Sequence, residues 1–169
     1  MCAVLTLEIY FKPGAGSQEF AEREAQNLRD LVHQLAPHVA LTVTTNPIEA
    51  AHCSHQHVPR DGTTYSILNH EPHDQTAQTL VITSEAPPAA PDGPWGGYAW
   101  KDRGCLFKTQ MEASGCAVDV TIHEWLHTIV EHTGICPDSG PPPGCYQRVD
   151  GHWYDWYRHI LEQLPHCGC

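Results

Sequence analysis

Two hydrophobic periods alternate along the 169-residue chain, and their order limits the folds open to it. Residues 3–11, AVLTLEIYF, are rich in β-branched and aromatic side chains and read as a strand. KPGAGS breaks that run. Ser17 then reads as a helix N-cap, with Phe20, Leu28, Leu31, Val32 and Leu35 at helical spacing up to Pro37. Strand patterns return at 39–45 (VALTVTT), 63–69 (TTYSILN) and 79–83 (TLVIT). Between the first two lies a polar, histidine-containing stretch with an Asp61-Gly62 turn. A Pro/Gly loop occupies 86–97, and YAW and CLFKTQM beyond it read as short extended pieces. Val118, Ile122, Trp125, Leu126, Ile129 and Val130 restore the helical period from about Ala117 to Glu131, and Gly134 stands where a terminating glycine belongs. A last helix is predicted over 152–164, HWYDWYRHILEQL. No repeat or linker divides the chain. The order predicts one domain, 1–169, of α/β (α+β) class: a mixed twisted sheet backed by helices.

Charge and hydropathy remove several function classes. The net charge of −11 repels a phosphate backbone, which argues against nucleic acid as a partner. No apolar run approaches the ~20 residues that cross a bilayer, so a membrane partner is not expected. The opening MCAVLTLEIYF lacks a basic n-region and a small-residue cleavage site, and reads as a strand, not a signal peptide. The cysteines, at 2, 53, 105, 116, 136, 145, 167 and 169, include no CxxC pair. Their even, high number favours disulfides over a zinc ribbon, and hence a secreted or extracytoplasmic protein whose signal has been removed. Cys105–Cys116 and Cys136–Cys145 are the expected local pairs, because each closes a short loop.

Residues 123–127 read HEWLH. With 13 His and 11 Glu in the chain, composition alone produces about 0.06 copies of H-E-x-x-H, so the context of the motif must decide. That context is the strongly periodic helix of 117–131. His123 and His127 are i and i+4, with Cβ atoms ~5–6 Å apart on one face. Both imidazoles then reach one Zn²⁺ at ~2.0–2.1 Å. Glu124 lies about 100° round the helix, off that stripe, where it reaches a water on the open side of the metal. Trp125 and Leu126 turn to the core. The competing readings are a surface histidine pair in a histidine-rich chain, and a structural zinc site. The latter normally shows a closed Cys/His set.

His123, Glu124 and His127, with the strands and helices upstream, resemble the zincin metallopeptidases. The resemblance implies a zincin-like domain, one catalytic Zn²⁺ and an activated water, with Glu124 as general base. It also implies an edge strand upstream of the motif helix that pairs with extended substrate, either TLVIT or the Tyr98–Trp100 region. A metzincin would place glycine at Val130 and histidine at Thr133; His132 comes one residue early, so that subgroup is rejected. Glu131 continues the histidine stripe one turn on and supports the site more readily than it binds the same ion. On the last helix His152, Asp155 and His159 cluster opposite Trp153, Trp156, Tyr157, Ile160 and Leu164 and read as a solvated face. Asp150 reads as a turn or N-cap residue. Asp138, just beyond the Gly134 stop and inside a possible Cys136–Cys145 loop, is the preferred third ligand, with His152 and Asp150 next. GCY and WYDWYRHIL also look like segments of a group of HEWLH-containing bacterial proteins. In those, a ligand-type residue precedes a tyrosine element, which implies Asp138 as ligand and matches Tyr146 to the tyrosine.

The expected function is a zinc-dependent endopeptidase acting on a peptide or protein. Glu124 takes a proton from water and passes it to the leaving amine, while Tyr146 steadies the oxyanion. The alternatives are a zincin-like metal- or partner-binding protein without peptidase activity, and a zinc hydrolase of a non-peptide amide. An intact Glu124 favours the enzyme. AHCSHQHV (51–58) offers His52, Cys53, His55 and His57 to a second metal, but a solvated loop or a disulfide cysteine explains it better. NHEPHD (69–74) carries a proline inside its histidine–glutamate spacing and is not a helical motif. No phosphate loop and no G-x-S-x-G elbow is present.

Overall fold

The computed structural model describes residues 4–14, 16–49, 54–57, 64–66, 77–85, 96–100, 103–114, 117–133 and 154–164. Strand β1 (Val4–Phe11) leads into helix α1 (Ser17–Leu35) and strand β2 (Ala40–Pro47), which returns parallel to β1. A parallel return requires a crossover, and the amphipathic α1 supplies it. Its Phe20, Ala21, Ala25, Leu28, Leu31, Val32 and Leu35 are all buried. The helix begins differently from expectation. Gly16 is the cap residue, at φ 75 and ψ 0, and no side chain caps the helix; Ser17 is already helical and buried. Glycine takes that left-handed conformation without the steric penalty serine would meet.

Strand β3 (Ser54–His57) and strand β4 (Thr64–Ser66) pair antiparallel in a small sheet of their own. The polar stretch expected as loop therefore contains a strand. Strand β5 (Gln78–Thr83), strand β6 (Gly97–Trp100) and strand β7 (Arg103–Phe107) complete the main sheet, whose order is β2-β1-β5-β7-β6. Four strands are parallel, and β6 lies antiparallel to β7 at the edge. TLVIT, one of two candidates for the edge, is in β5 and pairs on both sides, with β1 and β7. Every residue of β5 is buried, which is why its sequence is continuously apolar or uncharged. CLFKTQM is not all extended: Cys105–Phe107 end β7, and Lys108 opens helix α2 (Lys108–Ser114). Helix α3 (Ala117–Thr133) carries HEWLH, and helix α4 (Tyr154–Leu161) closes the described chain.

One face of the main sheet holds the core. Leu7, Ile9, Phe11, Val43, Leu80, Ile82 and Leu106 point to it and join the buried faces of α1, α3 and α4. The alternating residues on the other face, including Glu8, Tyr10, Thr79, Val81, Cys105 and Phe107, are buried as well. There the Tyr10 hydroxyl donates to Glu8 Oε2. Cross-ties fix the layers. Arg29 Nη2 donates to the Val43 carbonyl at 3.0 Å, and His38 Nε2 meets the Leu161 carbonyl at 3.2 Å. Among the described residues no helix is long and apolar enough to cross a membrane.

Candidate active site

Helix α3 positions the site because its apolar residues leave it one way to pack. Ile122, Trp125, Leu126 and Ile129 are wholly buried in the core, as their helical spacing requires. Burying that stripe turns His123 and His127 together onto a half-buried flank. Their rings lie 4.9 Å apart between centroids at an interplanar angle of 76°. The two Nε2 atoms converge to 3.2 Å. Two zinc ligands at ~2.0–2.1 Å that subtend a tetrahedral angle stand about 3.3–3.4 Å apart, so the pair has the spacing that zinc demands. The same separation suits a hydrogen bond between the two rings, with donor and acceptor set by the tautomer.

A neighbouring ring packs beside His123, and hydrogen bonds brace the helix on either side of the pair. Tyr157, buried on α4, sets its ring edge-on to His123, 6.4 Å between centroids and 74° between planes. Thr128, next after His127, donates from Oγ1 to the Trp125 carbonyl at 2.6 Å. Two residues before His123, the wholly buried Thr121 donates from Oγ1 to Glu24 Oε2 at 3.1 Å and so ties α3 to α1. Glu24 itself is fully buried. Loss of hydration pushes its carboxyl above the ordinary 4.5; the Thr121 hydrogen bond and the Arg23 charge pull the other way without offsetting it.

Glu124 is 6% exposed and lies where α3 crosses β6. A Cβ built on Gly97 of β6 would stand 2.8 Å from Glu124 Cγ, so the glutamate packs onto bare strand backbone. Its place next to the histidine pair but off their stripe suits a base that handles water, not a third ligand.

Among the described residues no group of three or more His, Cys, Asp or Glu side chains is placed to hold a metal. Asp138, Asp150, His152 and Tyr146 all lie outside the described residues, as do Gly134 and every cysteine but Cys105. Cys105 is wholly buried and disulfide-bonded. Asp155 and His159, read as a solvated face, are half-buried and engaged with their own helix. Asp155 Oδ1 accepts from Arg158 at 2.5 Å, and His159 stacks on Trp156 with 5.4 Å between ring centroids.

Four contributing residues escape the sequence reading. Gly96 and Gly97 sat in a segment read as loop, although a glycine pair directly before YAW is the signal of a close backbone approach. Tyr157 was read only as part of an apolar face. Glu24 sits four residues from both Phe20 and Leu28, on the apolar stripe of α1, and a carboxylate at that spacing was the signal for a buried one. No protein-family model matches the chain, and neither a curated protein nor a solved structure is significantly similar to it.

Proposed function

We infer that the chain is a small zinc-dependent endopeptidase of zincin type, with its motif helix against a sheet edge. The observation that carries the reading is the convergence of His123 Nε2 and His127 Nε2 to 3.2 Å on α3, with Glu124 beside them and off their stripe. His123 and His127 would hold the zinc ion, which would supply Lewis acidity toward a carbonyl and a water with its pKa lowered toward ~7. Glu124 takes the proton of the attacking water and delivers it to the leaving amine nitrogen. Its burial keeps competing water away from the carboxylate.

Sheet topology supports a mode of substrate binding. β6 is one of the two edge strands of the main sheet and is in contact with α3. An extended peptide adds to such an edge through main-chain hydrogen bonds, which would lay its scissile bond along the motif helix. Asp138 is the preferred third ligand, ahead of His152 and Asp150, and Tyr146 the preferred oxyanion donor; all four belong to 134–153. The disulfide at Cys105 supports an oxidising, extracytoplasmic setting. Peptide or protein is the partner, and neither nucleic acid nor membrane is.

The test is Glu124→Gln, which keeps shape and removes the base. The variant should fold and hold zinc as the parent does, and lose about 10²–10⁴-fold in peptide cleavage, the usual range for a lost general base. Equal cleavage by variant and parent overturns the reading. So does a zinc-loaded parent that cleaves nothing in a diverse peptide library; a binding protein or a non-peptide amide hydrolase then takes its place.

A further inference from the structure

We propose that Gly97 is a positioning residue for Glu124: its missing side chain leaves the space in which the glutamate lies against β6. This rests on the peptidase reading for its catalytic meaning, but its geometry does not. In the β6–β7 register Gly97 stands opposite Leu106, which points to the helix-covered face of the sheet, so Gly97 faces α3. A Cβ there would meet the Cys105 carbonyl oxygen at 2.6 Å, Glu124 Cγ at 2.8 Å and Leu106 Cδ2 at 3.3 Å. Gly97 is itself buried, so the space has no outlet.

The contact extends along α3. A Cβ at Gly96 would meet Val120 Cγ2 at 2.8 Å. Val120 and Glu124 are i and i+4, one stripe of the helix. Two consecutive glycines thus let one stripe of α3 rest directly on the backbone where the edge strand begins, Val120 on Gly96 and Glu124 on Gly97. The arrangement has a functional reason. The strand that seats the base is the strand proposed to pair with substrate, so base and scissile bond are registered against the same backbone. A methyl at 97 must push Glu124 Cγ outward, and a base displaced by ~1 Å forfeits about 10²-fold in rate. His123 and His127 lie on another stripe of α3 and are not pushed.

The experiment is Gly97→Ala alone and combined with Glu124→Ala. In the parent background Gly97→Ala should retain zinc and lower kcat about 10²-fold with KM nearly unchanged. A merely structural strand defect would instead raise KM and lose zinc together, and that result overturns the proposal. Because the Cys105 carbonyl is also close, the stability readout is taken as a cycle. The fall in Tm caused by Gly97→Ala should be clearly smaller when residue 124 is already alanine, since Cγ is then gone. An equal fall in both backgrounds overturns the proposal, as does a failure of Gly97→Ala to fold in both, because each assigns the strain to the β7 backbone. Folding restored only by Glu124→Ala supports it. The cycle needs no activity, so it stands or falls apart from the peptidase reading.

Discussion

Glu24 should make the protein less stable as the pH rises through the weakly acidic range. Its carboxyl is fully buried, Oε2 accepts one hydrogen bond from Thr121, and Oε1 has no hydrogen-bond partner among the described residues. Burial raises its pKa above the ordinary 4.5. The sign follows. Between the unfolded and the folded pKa the folded chain holds a proton that the unfolded chain has released. Folding is therefore favoured fully below the unfolded value and progressively less above it. Each pH unit in that window removes about 1.4 kcal/mol from this one group. Glu24→Gln keeps an oxygen for Thr121 and abolishes the titration. A domain of this size shifts about 2–4 °C per kcal/mol, so the Tm of the variant should gain on the parent by about 3–6 °C per pH unit, starting near the ordinary carboxyl value. Thermal melts of both proteins between about pH 4 and 7 measure it. A constant difference across that range would refute the reasoning, because it would mean that Glu24 titrates alike in both states.

Trp125→Ala should destabilise by about 3–5 kcal/mol, because the indole is wholly buried on the core face of α3; a denaturant melt with unchanged m-value checks it. Thr121→Val should also weaken the fold, by about 1–3 kcal/mol, since it withdraws the donor from a buried carboxyl. Alkylation of the unreduced chain should label fewer than eight thiols, with Cys105 among those protected; eight labels would remove the disulfide and the extracytoplasmic setting with it.

The helices were legible because their periods are long and clean. Phe20, Leu28 and Leu31 marked α1, and Ile122, Trp125, Leu126 and Ile129 marked α3, each stripe being buried in one core. What local pattern does not carry is strand order. TLVIT looked eligible for the edge, yet it is buried on both faces and central, while the edge went to GYAW. The capping error at Ser17 has a similar root: the chain chose backbone freedom at Gly16 over a side-chain oxygen. Within the site, the histidine pair and Glu124 follow from helical geometry alone. The roles of Gly97, Tyr157 and Glu24 depend on β6, α4 and α1 arriving at α3, which sequence spacing does not encode.

Zinc per chain in the purified protein tests the central claim most directly, measured by elemental analysis on the parent and on His127→Ala. The two Nε2 atoms at 3.2 Å predict one zinc ion in the parent and a near-complete loss in the variant, with the far-UV spectrum unchanged. A parent free of zinc after purification without chelators and after incubation with the ion, or a variant that holds as much as the parent, would contradict the account.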